Sequence, residues 1–135
     1  MNFRKHLIRE NNTIKTALEL MSKVGIETIL FAVNENNQLK GSITDGDIRR
    51  GLLLGLSLDD EIKRIIHKDA KYIRKENYSI EEVISLRSKN YKVIPVVDKN
   101  DVILNILNFR LMKSYLPIDV VLMAGGLGTR VKPLT

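Results

Sequence analysis

Part of this chain is written twice. Asn12 to Lys23 lines up with Tyr78 to Lys89 at an offset of 66, and Ile29 to Asn37 with Val93 to Asp101 at an offset of 64, so the second copy has lost two loop residues. In both copies of the first segment a hydroxyl residue precedes apolar positions at helical spacing. Thr13 stands before Ile14, Ala17, Leu18 and Met21, and Ser79 before Ile80, Val83 and Ile84. A short side-chain oxygen there accepts from the free N–H groups of a first helical turn, so each segment reads as an amphipathic helix. Each copy of the second segment passes through a polar turn, Asn34 to Asn37 or Asp98 to Asp101, into another apolar run, Leu39 to Ile43 or Val102 to Leu107. That pattern reads as an antiparallel hairpin. A second helix is expected from about Asp45 to Leu54 and from about Phe109 to Tyr115, and a short one carrying Ile62, Ile65 and Ile66 after a capping-box-like Ser57-Leu58-Asp59-Asp60. The unit is helix, strand, strand, helix. A unit of roughly 60 residues buries too little of its surface to be comfortable alone, so the two copies are expected to pack on each other.

Composition narrows the function classes. The 135 residues leave room for one ordinary domain or two very small ones, and 44% hydrophobic with 28% charged residues is enough for a core. Apolar runs such as Leu52 to Leu54, Val93 to Val97 and Val120 to Ala124 fall far below the ~18 residues that a membrane span requires. The N-terminus has no continuous apolar stretch of the secretory kind, so no membrane partner is expected and the cytoplasm is the expected location. With no cysteine, disulfides and thiolate ligands are excluded, and His6 and His67 lie too far apart in sequence to suggest a metal pair. Lys and Arg outnumber Asp and Glu by 22 to 16, but the surplus is scattered, aromatics are 5% and Trp is absent. A nucleic-acid partner is therefore not expected, since it calls for a basic stripe or a stacking platform.

Gly41-Ser42-Ile43-Thr44-Asp45-Gly46-Asp47-Ile48-Arg49-Arg50 and Val93-Ile94-Pro95-Val96-Val97-Asp98, within the repeated element order, carry a resemblance over residues 1 to about 115. The chain here resembles the tandem CBS-domain pair, or Bateman module. The resemblance implies an α/β (α+β) fold of two pseudo-twofold-related repeats, 1–66 and 67–116. It also implies a regulatory module that senses an adenosyl ligand (AMP, ADP, ATP or S-adenosylmethionine), dimerises through its helices, and turns Thr44 and Asp47 toward the ribose.

The chemistry of those residues agrees with such a role. Thr44 is expected to end a strand and Asp47 to fall in the first turn of the next helix, beside one groove. A carboxylate accepts from two vicinal hydroxyls at once, which is what ribose presents. The helix start, with Arg49 and Arg50 following, suits phosphate oxygens. Thr44-x-x-Asp47 also reads as a capping box, and the two readings are not exclusive. At an offset of 64 the second copy has Asn108 for Thr44 and Leu111 for Asp47, so one nucleotide site per chain is expected.

After Pro117 the character changes. Ile118 to Ala124 reads as a buried strand, and Gly125-Gly126-Leu127-Gly128-Thr129-Arg130 as a glycine-rich turn whose N–H groups can cradle phosphate, with Arg130 adding a two-pronged contact. It lacks the Gly-Lys-Ser/Thr of a Walker A loop, and Val131 takes the third glycine position of a dinucleotide fingerprint. Leu122 to Thr135 resembles the opening of sugar-phosphate nucleotidyltransferases. That resemblance implies that Gly125, Gly126, Gly128, Thr129 and Arg130 bind a nucleoside triphosphate, that Arg130 assists attack of the sugar 1-phosphate, and that Mg²⁺ and its ligands belong to residues beyond Thr135. Residues 117–135 are too few for such a domain, so this chain is expected to be not an enzyme itself but the regulatory part of one. A structural module that dimerises and binds nothing is the principal alternative; a nucleic-acid-binding module is a weaker one.

Overall fold

The structure, a computed structural model, describes residues 3–25 and 28–109. It divides into two units, Met1–Ala70 and Lys71–Thr135, so the first extends four residues past the expected division at Ile66. In the first unit a 3-10 turn (Phe3–His6) leads into β1 (Leu7–Arg9), α1 (Ile14–Met21), β2 (Ile29–Val33), β3 (Leu39–Thr44), α2 (Asp45–Leu53) and a 3-10 turn at Ile62–Arg64. The sheet order is β1-β2-β3, with β1 parallel and β3 antiparallel to β2. The second unit repeats the arrangement with β4 (Ile73–Arg74), α3 (Ile80–Ser88), β5 (Val93–Val97) and β6 (Ile103–Asn108), in the order β4-β5-β6.

The two expected caps are present. Thr13 Oγ1 accepts from the Thr16 N–H at 3.2 Å and Ser79 Oγ from the Glu82 N–H at 3.0 Å. Ile14, Ala17 and Met21 turn inward from α1; in α3 the buried face runs through Val83 and Leu86, which leaves Ile80 and Ile84 outside, contrary to the inward placement expected of them. The hairpins match residue for residue. Ile29 faces Thr44 as Val93 faces Asn108, Ala32 faces Gly41 as Val96 faces Asn105, and both carry an irregularity between their last two paired positions. Their turns match as well: Asn34 Oδ1 accepts from the Asn36 and Gln38 N–H groups, Asp98 Oδ1 from those of Asn100 and Val102. Asn37 (φ 61°) and Asp101 (φ 69°) take the left-handed conformation that short polar side chains tolerate best among non-glycine residues. Leu30, Ile43 and Ile62 in the first unit, and Val96 and Leu107 in the second, centre two separate cores. Each fully buried side chain of this kind contributes about 1.5–3 kcal/mol.

Three expectations need correction. Strands β1 and β4, absent from the helix-strand-strand-helix reading, precede the first helix of each copy. Ser57 to Asp60 does not start an α-helix: the Asp60 carboxylate accepts from the Ser57 N–H at 2.7 Å and closes a turn, and only one 3-10 turn follows, from Ile62. The second helix of copy one ends at Leu53, with Leu54 as its C-cap, one residue short of the expected end. Of the helix expected from about Phe109 to Tyr115 only Phe109 itself is described, and the strand expected at Ile118 to Ala124 lies outside the described residues.

The segment leaving the first unit is fastened to its sheet. His67 N–H donates to the Ser42 carbonyl at 2.8 Å, and Ser42 N–H to the His67 carbonyl at 3.0 Å. Gly41 permits this approach, because a Cβ there would stand 2.6 Å from the His67 carbonyl oxygen.

Candidate functional site

Thr44 sits where β3 becomes α2, with extended backbone, and is the N-cap of that helix. Its Oγ1 accepts from the Asp47 N–H at 3.3 Å, while its own N–H donates to Asp47 Oδ2 at 2.9 Å and its hydroxyl donates to the same oxygen at 3.0 Å. The capping box is therefore complete. Asp45 and Asp47 place negative charge in the first turn, where the helix dipole favours it.

The two arginines do not stand open toward a phosphate as expected. Arg49 pairs with Asp45 one turn earlier, and Arg50 Nη2 donates to Asp47 Oδ1 at 2.7 Å. The Arg50 guanidinium lies beside Gly46. Arg50 is mostly exposed while the Asp47 side chain is only 16% exposed. The two oxygens of Asp47 thus differ: Oδ2 is held by two donors of Thr44, whereas Oδ1 is held by an ion pair whose cation is in solvent. An ion pair of that kind is worth about 0–1 kcal/mol, so Oδ1 is the oxygen that a competing donor can win.

The junction has further neighbours. Ile29, at the start of β2, pairs with Thr44, and its carbonyl accepts from Nδ1 of the buried His6 at 2.9 Å. His6 is thus a packed side chain beside the junction. In the second unit Asn108 is buried at the matching end of β6. Leu111, and Gly125, Gly126, Gly128, Thr129 and Arg130 of the glycine-rich turn, lie outside the described residues. Among the described residues no cluster of His, Asp and Glu is arranged to hold a metal ion, and no helix is long and apolar enough to cross a membrane.

One feature of the first unit was not foreseen: a cavity of ≈ 410 Å³ at the turn end of its sheet, lined by Arg9, Asn34 and Lys63 among others. Its signal in the sequence is slight, since it depends on which charged residues the two copies place at equivalent turns.

Residues 5–54 match the family model of the CBS domain, and the fold is the CBS-domain fold. The chain is 34% identical over 99 residues to an uncharacterized protein of Helicobacter pylori strain J99, which covers 72% of this chain and 30% of that protein. This chain thus spans about a third of the length of that relative. Among solved structures it is similar to the CBS domain pair of protein MJ0100 in complex with 5'-methylthioadenosine and S-adenosyl-L-methionine, with a TM-score of 0.60, 25% identity, and 77% of this chain and 81% of that one covered. It is also similar to CbpB in complex with c-di-AMP, with a TM-score of 0.65 and 14% identity over 77% of this chain and 71% of that one.

Proposed function

We propose that the chain is a regulatory module that senses an adenosyl ligand (AMP, ADP, ATP or S-adenosylmethionine) through Thr44 and Asp47, and that the enzyme it regulates is a sugar-1-phosphate nucleotidyltransferase opening at residues 117–135. The observation that carries the sensing role is the unequal holding of the Asp47 carboxylate. A ribose hydroxyl displaces Arg50 from Oδ1 without disturbing the Thr44 bonds to Oδ2, and the released Arg50, together with Arg49, then turns toward ligand phosphates. Proteins of this fold that hold methylthioadenosine, S-adenosylmethionine or c-di-AMP support the ligand class. The apolar run Ile118 to Ala124 and the glycine-rich sequence Gly125 to Arg130 that follows it support the nucleotidyltransferase connection. Leu53 and Leu54, 81% and 85% exposed at the end of α2, support dimerisation through helices.

Thermal unfolding tests the sensing role. A ligand present at 100 times its dissociation constant stabilises the fold by about 2.7 kcal/mol. Asp47→Asn keeps an oxygen for the cap and removes the charge, and should weaken binding by roughly 10- to 150-fold. If none of AMP, ADP, ATP and S-adenosylmethionine moves the melting temperature, the purely structural reading takes its place. That reading has its own support in the complete capping box, which is sufficient reason for Thr44 and Asp47 to be where they are.

A further inference from the structure

We propose that the first unit has a second binding site, remote from Thr44 and Asp47, for a small zwitterion of the amino-acid type. The cavity of ≈ 410 Å³ opens at the far end of the sheet, and Arg9, Glu10, Asn34, Glu35, Asn36 and Lys63 are on its wall. Thr44 pairs with Ile29 at one end of β2 and Arg9 with Val33 at the other, so the length of the strand separates the two sites. The cavity is of the size that small-molecule sites have.

The second unit indicates what the cavity lacks. Arg74 occupies the place of Arg9: each ends the first strand of its unit and lies opposite an equivalent valine, Val97 or Val33. Arg74 is fully engaged, with Nη1 donating to the Asp98 carbonyl at 2.8 Å and Nη2 to Asp101 Oδ1 at 2.8 Å. The residue that matches Asp101 is Asn37, at the same left-handed position of the same turn. An amide cannot supply the charge. Arg9 is exposed and makes no ion pair with any described residue. On the same wall Glu10 and Glu35 are also without an ion pair, while Lys63 is held by Glu61 at 3.0 Å. One open guanidinium beside two open carboxylates selects a dipolar occupant. The ligand carboxylate takes on Arg9 the place that Asp101 takes on Arg74, and the ligand ammonium faces Glu10 and Glu35. A dianion would meet those two carboxylates and is rejected by like charge.

Isothermal titration calorimetry on the whole chain tests this, with glycine, L-alanine, L-glutamine and L-lysine as ligands and acetate, methylamine and inorganic phosphate as partial probes. Saturable binding is expected from at least one amino acid, with every partial probe weaker by about tenfold or more. Arg9→Gln should weaken that binding by about tenfold or more. Asn37→Asp should abolish it by giving Arg9 an internal carboxylate, while the melting temperature holds or rises, because the second unit already folds around that pair. The response to adenosine nucleotides should persist in Asn37→Asp, which separates this site from the one at Asp47. No saturable heat from any of the four amino acids up to about 10 mM would overturn the proposal. So would phosphate binding more tightly than all of them, or both variants binding within about twofold of wild type.

Discussion

The two units share a skeleton and differ in the side chains at its two ends. Their hairpins keep the same register, the same irregularity and the same turn, down to the Asn34 or Asp98 oxygen that accepts from the two N–H groups ahead of it. At the end of that hairpin one unit has Thr44 engaged with Asp47, and the other has buried Asn108. Beside the turn one has Arg9 facing a cavity, and the other has Arg74 closed onto Asp101. Backbone pairing and apolar alternation tolerate many residues at the strand ends, so those ends are free to diverge while the sheet persists. The second unit is thus an internal control for the first. A property that follows from the skeleton belongs to both, and a property of the site belongs to one.

The largest expected contrast lies at Gly41 and its counterpart Asn105. Gly41→Ala forces a Cβ against the His67 carbonyl, and overpacking of this kind costs about 1–3 kcal/mol. Asn105 already carries a side chain, so Asn105→Ala should cost less. Urea melts of both variants, with amide exchange to locate the loss, decide this, and an equal cost would mean that the clamp at His67 does not bear on stability. Next is the cap: Thr44→Ala removes the acceptor for the Asp47 N–H and should cost about 1 kcal/mol, read as a lower midpoint in the same melts. Smaller again is the Arg74 pair. Asp101→Asn should cost about 0.2–1 kcal/mol, and Asn37→Asp should return a similar amount to the first unit, both effects shrinking in high salt.

The smallest effect is with pH. The Ser57 N–H, helped by Arg64, holds the Asp60 carboxyl below the usual carboxylate range. A carboxyl depressed in the folded state contributes stability that is present above its unfolded value and lost as pH falls through its folded one. The first unit should therefore lose a small increment in acid below the ordinary carboxylate range. Asp60→Asn should flatten that part of a stability-against-pH profile, and an unchanged profile would remove Asp60 from the account.

What could be read in the sequence was whatever repeats over enough residues. Helix α1 announces itself through Thr13 and three inward positions, and the hairpins through two apolar runs around a polar turn. Strands β1 and β4, of three and two residues, are too short to display an alternation, and they were missed. The outward turn of Ile80 and Ile84 was missed as well, since helical spacing fixes which residues share a face but not how wide the buried part of it is. The capping box of Thr44 and Asp47 was legible because a hydroxyl residue three positions before an acid is its sequence signature; the partners of Arg49 and Arg50 were not, because a nearby acid competes with any ligand for them. The contrast of Arg9 with Arg74 was hidden by changes in loop length, which put the two residues 65 apart, between the offsets of 66 and 64 that align the helices and the hairpins.

The hydrogen bonds between Ser42 and His67 bear on solubility. Strand β3 is a border of its sheet, and a border strand offers its outward N–H and C=O groups to any extended chain that comes near. At Ser42 both groups are already taken by the protein's own backbone, so an intruding strand would first have to peel His67 away. The residues that lead out of the first unit thereby act as a selvedge at Ser42, where they occupy the outward backbone groups of the border strand.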